Sequence, residues 1–198
     1  VEAYERIGKW EKAEKDLLAS LKANPDQAYV INYLAYSWIE QGVKIEQSLS
    51  MLEKANKLRS NDPYIIDSLG WALFKLKRFK ESIKFYSEII NKVKKNHPLY
   101  AEATDGRGVA YERIGEWENA EEDLLASLKA NPDQAYVINY LAYSWIEQGV
   151  KIEQSLSMLE KANRLRSDDP YIIDSLGWAL FKLKRFKESK KYLQLAVR

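Results

Sequence analysis

The amino-acid sequence predicts an all-α fold, an α-solenoid of antiparallel helix pairs stacked in about five and a half repeats. Three observations lead to this prediction: a near-identical tandem copy, a shorter period of about 35 residues, and apolar positions at helical spacing. The composition agrees, since 46% of the 198 residues are hydrophobic, 30% are charged and only five are proline. Such a chain is typical of a folded, helix-rich protein rather than a fibrous or disordered one.

The tandem copy is the strongest of these signals. Residues 3–82 recur as residues 110–189, and only five of these 80 positions differ. The differing pairs are Lys9/Glu116, Lys12/Asn119, Lys15/Glu122, Lys57/Arg164 and Asn61/Asp168. We interpret the pattern as a recent tandem duplication, natural or engineered. It predicts one continuous solenoid over residues 1–198, made of two three-repeat blocks, residues 1–100 and residues 101–198.

A shorter period divides each copy into helix pairs. Repeat units begin at Ala28, Pro63, Ala101, Ala135 and Pro170, with spacings of 35, 38, 34 and 35 residues. Small residues recur where two helices cross closely, and leucines follow at helical spacing. The unit of 38 residues predicts a lengthened second helix and turn near 91–98. The first repeat is truncated, because residues 1–4 align with residues 108–111, partway along a helix.

These features resemble the tetratricopeptide repeat, a helix–turn–helix unit of 34 residues. Segments 32–38 and 67–72 read Asn-Tyr-Leu-Ala-Tyr-Ser-Trp and Asp-Ser-Leu-Gly-Trp-Ala, and they are similar to segments of bacterial members of the family. The resemblance implies a right-handed superhelix whose first helices line a concave groove that binds peptides. Some of these bacterial relatives are envelope lipoproteins that serve as adaptors for processing proteases.

The resemblance also implies which residues face the groove. The expected peptide-binding positions are rich in tyrosine and tryptophan, which are typical of interface hot spots. They are Tyr29, Asn32, Tyr33, Tyr36, Tyr64, Asp67, Trp71 and Lys75, with their copies Tyr136, Asn139, Tyr140, Tyr143, Tyr171, Asp174, Trp178 and Lys182.

Two questions about these groove positions stay open at this point. Trp71 and Tyr36, with their copies, fit core packing as well as exposure, whereas exposure is expected of Tyr29, Asn32 and Asp67. Family members that clamp a C-terminal carboxylate use Lys, Arg and Asn on successive first helices. The cationic residues of that clamp are missing here, so a free C-terminal carboxylate is not the expected ligand.

Catalytic, metal and cofactor sites are not expected. The chain has no cysteine, and its single histidine, His97, lies in a lysine-rich turn, so neither thiol chemistry nor a zinc site is indicated. The glycines at 106 and 108 fall within a predicted helix and indicate close packing rather than a phosphate loop. Basic stretches at 75–80 and 182–187 could contact phosphate, but a net charge of +2 does not favour nucleic acid.

The sequence leaves the compartment open, cytoplasmic or periplasmic. No membrane span or signal peptide is visible. Both ends of the solenoid are expected to expose apolar surface, which suggests head-to-tail docking between chains or missing flanking sequence.

The leading hypothesis is a non-catalytic scaffold that binds a protein or peptide. The alternative is an engineered or duplicated structural solenoid without a specific ligand, which self-associates through its uncapped ends. An RNA-binding array is the third hypothesis, and it lacks a basic inner face.

Overall fold

The structure is a computed structural model that describes residues 10–197. Over this range the chain forms eleven α-helices and no β-strand, which confirms the predicted all-α class. The helices are α1 (Trp10–Ala23), α2 (Ala28–Glu40), α3 (Ile45–Leu58), α4 (Pro63–Lys75), α5 (Phe79–Lys92), α6 (Pro98–Arg113), α7 (Trp117–Ala130), α8 (Ala135–Glu147), α9 (Ile152–Leu165), α10 (Pro170–Lys182) and α11 (Phe186–Ala196).

The chain divides into two compact units, Val1–Ala120 and Glu121–Arg198. In the first unit α2 packs on α3, α4 packs on α5, and α5 packs on α6. The first helix of each pair also touches the first helix of the next, so α4 contacts both α2 and α6. The second unit repeats this arrangement, with α8 packed on α9, α10 packed on α11, and α8 touching α10. We call α2, α4, α6, α8 and α10 the inner helices, because each opens a repeat.

Apolar residues of consecutive helices form the core of each pair. In the first unit Leu34, Leu52 and Leu69 are at most 1% exposed, and their copies Leu141 and Leu159 are fully buried. The small residues predicted at helix crossings are buried as well, among them Ala13, Ala35 and Ala142. Burial of each leucine side chain stabilises the fold by roughly 1.5–3 kcal/mol. Because each helix pair packs on the next, the buried residues of a unit form one continuous apolar layer.

Helix starts follow the sequence signals at four of the five predicted repeat starts. The inner helices α2, α4, α8 and α10 begin at the residues that the period indicates. At α4 the Asp62 side chain caps the helix by accepting hydrogen bonds from the backbone N–H of Tyr64 (3.1 Å) and of Ile65 (3.4 Å). Proline follows this cap, where its missing N–H costs no helical hydrogen bond.

The 38-residue repeat differs from its prediction. Its second helix, α5, has 14 residues, the same as α3 and α9, so the second helix is not lengthened. Instead α6 begins at Pro98, three residues before the predicted start at Ala101, and has 16 residues. The cause is local: His97 Nδ1 accepts a hydrogen bond from the backbone N–H of Leu99 (3.2 Å), which caps the helix one position ahead of proline. The single histidine is therefore a helix cap rather than a solvated loop residue.

A buried tryptophan joins α1 to α2 in the first unit. Trp38, 1% exposed, donates from Nε1 to Glu14 Oε1 at 2.7 Å, and Lys44 Nζ lies 2.8 Å from the same carboxylate oxygen. The Lys44 ammonium also stands over the indole ring, 4.1 Å from its centroid. The hydrogen bonds that Glu14 accepts from Lys44 and from Trp38 both lower its pKa, and the one from Lys44 lowers it more. The second unit builds the same contact from Glu121, Trp145 and Lys151.

Candidate functional site

The inner helices carry the residues that the sequence placed in a groove. In the first unit Tyr29, Tyr36 and Tyr64 expose 54%, 41% and 53% of their surface, which is high for tyrosine in a folded protein. In the second unit Tyr136, Tyr143 and Tyr171 are exposed as well. These six tyrosines give each unit a row of aromatic rings available for contact.

Tyr29 is exposed but already held in place. Its hydroxyl donates to Asp62 Oδ2 at 3.0 Å, and the Arg59 guanidinium stands over its ring at 4.4 Å from the centroid. The hydrogen bond to Asp62 raises the pKa of Tyr29. In the second unit Arg166 stands over Tyr136 in the same way, at 4.5 Å. A ring fixed by its neighbours loses little conformational entropy when a ligand packs on it.

Trp71 and Lys75 contact their neighbours as well as solvent. Trp71 Nε1 donates to Glu40 Oε1 at 2.7 Å, which links α4 to α2, and Lys75 Nζ lies 4.4 Å from the indole centroid. The Phe74 ring stacks on the indole with centroids 5.5 Å apart. The copies Trp178, Glu147, Lys182 and Phe181 repeat the arrangement. Both tryptophans are half-buried, which is intermediate between the core packing and the exposure that the sequence left open.

Tyr33 lies deeper than the other tyrosines of α2. It is partly buried and packs against the core cluster of Leu17, Leu34 and Trp38. Its copy Tyr140 is also partly buried. Both rings are therefore only partly accessible to a ligand.

Asn32 presents an unpaired polar atom on the same helix as Tyr29 and Tyr36. Its Oδ1 is buried and has no hydrogen-bond partner, and the copy Asn139 has the same unpaired oxygen in the second unit. A buried acceptor without a partner costs about 1–3 kcal/mol, and native structures keep few of them. Asn56 of α3 and Asn163 of α9 carry unpaired amide oxygens in the same way, so Asn32 and Asn139 are distinguished by lying beside exposed tyrosines on the inner helices.

Three carboxyl groups gather on α4 and α6 in the first unit. Burial, and repulsion from Glu102, raise the pKa of Asp67 to about 7 and that of Asp105 to about 6. Burial also raises the pKa of Glu102, which the nearby His97 lowers in part. Tyr36 of α2 is close enough for the negative charges of Glu40, Asp67 and Glu102 to act with burial and raise its pKa to about 12. We call Asp67, Glu102 and Asp105 the acidic cluster.

The sequence reasoning missed Glu102 and Asp105. The family resemblance implied Asp67, but no groove residue was named on α6. The signal was present in the register: counted from the repeat starts Pro63 and Ala101, Asp67 and Asp105 are both the fifth residue. Applying the inner-face positions of α4 to α6 would have found both missing carboxylates.

Tyr86 of α5 packs against α4 and α6, the helices that carry the acidic cluster. The tyrosine is 3% exposed, and its ring fills the space between two glycines of neighbouring inner helices, Gly70 and Gly106. A Cβ on Gly70 would lie 2.9 Å from Tyr86 Cε1, and one on Gly106 would lie 2.7 Å from Cζ. Burial is the main cause that raises the pKa of Tyr86, followed by the negative charge of Asp67. The glycines therefore serve close packing, as the sequence indicated for 106.

The basic stretch at 75–80 is partly neutralised by its own neighbours. Arg78 donates from Nε and Nη2 to the two carboxylate oxygens of Glu81, both at 2.7 Å. Arg185 and Glu188 repeat this pair in the second unit.

Residues 10–197 hold no group of three or more acidic or histidine side chains arranged to bind a metal ion. None of the helices in this range is long and apolar enough to cross a membrane.

Family models match two parts of the chain, residues 91–135 and residues 172–198, and both models describe the tetratricopeptide repeat. A curated relative, the TPR repeat-containing protein PA4667 of Pseudomonas aeruginosa, is 27% identical over 118 residues. That match takes in 60% of this chain and 18% of the relative, so the chain spans less than a fifth of the relative's length.

Solved structures share the fold. PilW, a widely conserved type IV pilus biogenesis factor, superposes with a TM-score of 0.85 at 18% identity, covering 96% of this chain and 86% of PilW. YrrB superposes with a TM-score of 0.64 at 12% identity, covering 91% of this chain and 90% of YrrB. At these identities the likeness concerns the arrangement of helices.

Proposed function

We propose that this chain, which belongs to the tetratricopeptide repeat family, is a scaffold that binds an extended peptide along its inner helices. The family generally serves in protein interaction and without catalysis, and YrrB is described as a TPR protein with an unusual peptide-binding site. The residues proposed to make contact are those named from the sequence, and Asn32 and Asn139 supply a hydrogen-bond acceptor in each unit.

One observation carries the proposal: the unpaired Oδ1 of Asn32, repeated at Asn139, lies on a helix with exposed tyrosines. An extended peptide offers backbone N–H groups, which would satisfy the amide oxygen, and side chains, which would cover the rings. Because the unpaired acceptor is costly in the free chain, pairing it on binding favours the complex.

A selection from displayed 12-residue peptides tests this function on the full chain. Enriched peptides would be synthesised with a fluorophore and titrated by anisotropy against the chain and against the double variant Asn32→Ala/Asn139→Ala. The matched control is Lys15→Ala/Glu122→Ala, since both residues are exposed on the second helices α1 and α7.

The double asparagine variant should bind about tenfold more weakly, the loss of one or two hydrogen bonds, while the control binds as the parent chain does. Failure to enrich any peptide, or equal affinities for parent and asparagine variant, would contradict the proposed groove.

Self-association is a second candidate, and one feature of the second unit favours it. Phe181 and Phe186 are 45% and 57% exposed, and with Leu193 and Val197 they line an open cavity of about 380 Å³. A second copy of the chain could cover this apolar surface. The N-terminal residues 1–9, named in the head-to-tail expectation, lie outside the described residues.

Light scattering over a concentration series tests self-association. If chains dock through this surface, the average molecular mass should rise with concentration, and it should stay at the monomer mass in Phe181→Ser/Phe186→Ser. A monomer at every concentration would count against it.

A further inference from the structure

The N-terminal cap of α6 differs in kind from the caps of the other inner helices. His97 Nδ1 accepts a hydrogen bond from the backbone N–H of Leu99 at 3.2 Å. The matched cap residues of α4 and α10 are Asp62 and Asp169, whose carboxylates accept backbone N–H groups. At α2 and α8 the cap residue is a glutamine whose side chain makes no cap hydrogen bond. Among the inner helices described, only α6 is therefore capped by an imidazole.

The hydrogen bond decides which form of His97 can cap the helix. A backbone N–H only donates, so Nδ1 must carry a lone pair and the imidazole must be neutral. A protonated imidazole carries N–H groups on both nitrogens and cannot accept this bond. Its positive charge is also unfavourable at the N-terminus of a helix, the positive end of the helix dipole. Histidine side chains ordinarily change charge between about pH 5 and pH 8, so acidification over this range removes the cap.

The capped turn holds a core residue in place. Leu99 is 3% exposed and packs in one cluster with Ile66, Tyr86 and Ala103. Its backbone N–H is one of the four at the start of a helix that have no partner within the helix. The hydrogen bond to His97 is only partly accessible to water, so loss of the cap favours opening of the first turn.

The imidazole also contacts the inner helix α4. The centroid of its ring lies 6.2 Å from that of Tyr64, with the ring planes tilted by 55°, which is within the range at which aromatic rings attract. Tyr64 is 53% exposed, whereas its copy Tyr171 is 75% exposed and has no imidazole beside it in the part of the chain described. A change at His97 therefore reaches the surface of α4.

The titratable and charged groups around His97 come from three elements. They are Tyr64 of α4, Glu102 further along α6, and Lys94 and Lys95 of the turn before α6. Burial raises the pKa of Glu102, and the charge of His97 lowers it in part, so Glu102 attracts a protonated imidazole. The two lysines repel it. These charges oppose each other, while the loss of the acceptor at Nδ1 acts in one direction only.

Two further carboxyl groups gain protons over the same pH range. The pKa of Asp67 is about 7 and that of Asp105 is about 6, in each case because of burial and of repulsion from Glu102. Protonation of these groups relieves repulsion between α4 and α6. The contribution of His97 must therefore be measured against a variant that keeps the carboxyl groups and has a cap that does not titrate.

We propose that His97 is a pH-sensitive cap, whose neutral imidazole closes the first turn of α6 and whose protonation, below about pH 6, releases that turn together with Leu99. The opening does not depend on the proposed peptide-binding function, and its test needs no peptide. The first turn of α10, capped by Asp169, provides a reference within the same chain.

The test compares the full chain with His97→Asn and His97→Ala by amide hydrogen exchange at about pH 7.5 and about pH 5.5. Each rate is divided by the intrinsic exchange rate at that pH, which gives the protection of residues 98–104. Asparagine is among the best cap residues, and its amide oxygen accepts a hydrogen bond at either pH. Alanine provides no cap. Circular dichroism confirms that each variant is folded.

On acidification the parent chain should lose about fivefold more protection over residues 98–104 than His97→Asn does, which corresponds to the loss of one cap. His97→Ala should be less protected than the parent at the higher pH and should differ little from it at the lower pH. The first turn of α10 should respond alike in all three chains.

Three results would overturn the inference. If the parent and His97→Asn respond equally to acidification, protonation of His97 does not release the turn. If the parent gains protection relative to His97→Asn, attraction between the charged imidazole and Glu102 outweighs the lost cap. If His97→Ala is as protected as the parent at the higher pH, the imidazole does not hold the first turn at all.

Discussion

The helix pair α4–α5 in the first unit and the pair α10–α11 in the second share 20 identical residues, 63–82 and 170–189, yet their surroundings differ. In the first unit Asp67, Phe74 and Phe79 are half-buried. In the second unit their copies Asp174, Phe181 and Phe186 are exposed. The cause in the first unit is α6, which packs on α5 and touches α4.

The difference shows that a neighbouring helix, and not the local sequence, sets the chemistry of an inner-face residue. Asp67 acquires its raised pKa from burial and from Glu102, which α6 supplies. The same carboxyl group at 174 stays exposed among the residues described. Repeat proteins can therefore give identical repeats different binding properties by changing the neighbour alone.

Where the neighbours match, the two units agree closely. The tryptophan–glutamate hydrogen bond is 2.7 Å long in both, from Trp38 to Glu14 and from Trp145 to Glu121. This second comparison provides a control: substitutions here should have equal effects in the two units, whereas substitutions near the acidic cluster should not.

The largest difference between the units is expected from Tyr86 and its counterpart Leu193. Tyr86 is 3% exposed between two glycines, so Tyr86→Ala should leave a cavity and lower the free energy of unfolding by about 3–5 kcal/mol. Leu193 packs on Gly177 and is partly exposed, so Leu193→Ala should cost about half as much. Urea denaturation measures both, and equal costs would show that the glycine pair does not confine the tyrosine.

A smaller effect of opposite sign is expected from Asp67→Asn. Because the pKa of Asp67 in the folded chain is about 7, against an ordinary value of 3.8, the stability linked to Asp67 is present below about pH 4 and is lost as the pH rises towards 7. One pKa unit corresponds to about 1.4 kcal/mol, and partial exposure reduces the total, so the variant should be more stable than the parent by about 2 kcal/mol at pH 8.

The gain from Asp67→Asn should shrink towards zero near pH 4, and Asp174→Asn should change stability little at either pH. Thermal unfolding at the two pH values measures these differences. A variant that is less stable than the parent at pH 8 would mean that Asp67 is stabilising when ionised.

Removing the glutamate beside the buried tryptophan should cost about 1 kcal/mol in either unit. Glu14→Ala and Glu121→Ala each leave an indole N–H unpaired and free a lysine, in the same geometry. Chemical denaturation of the two variants should give midpoints that agree within error. Clearly unequal costs would mean that context matters even where the contacts match.

The smallest effect is expected at the exposed tyrosine of α2. Tyr29→Phe removes the hydrogen bond to Asp62 and should lower stability by about 0.5 kcal/mol, since both groups can bond to water instead. The ring and its contact with Arg59 stay, so peptide binding should change little. Anisotropy titration with a selected peptide measures the affinity of the variant. A tenfold loss of affinity would mean that the Tyr29 hydroxyl bonds to the ligand.

Much of the fold was predictable, because repeated small and apolar residues mark each helix pair wherever it stands. The helix starts at Ala28, Pro63, Ala135 and Pro170 could be predicted from the repeat period and from the preference of proline for the first position of a helix. The start at Pro98 was missed, because the period pointed to Ala101 and the capping role of His97 was not considered.

The site was less predictable for a physical reason. Tyr29 and Trp71 could be named from the family resemblance, but the pKa of Asp67 depends on burial and on Glu102, 35 positions further along. Burial and repulsion between such groups arise only once α6 is packed against its neighbours. Tyr86 likewise gains its place from two glycines on different helices.

The protonation of Asp67 is the property on which the comparison depends most directly. A carboxyl ¹³C NMR titration of the full chain would follow Asp67, assigned by comparison with Asp67→Asn. We expect a midpoint near pH 7, and a lower midpoint in Glu102→Gln, because the neighbouring charge is gone. A midpoint near 4 in the parent chain would show that α6 does not change this carboxyl group, and the contrast between the two units would fail.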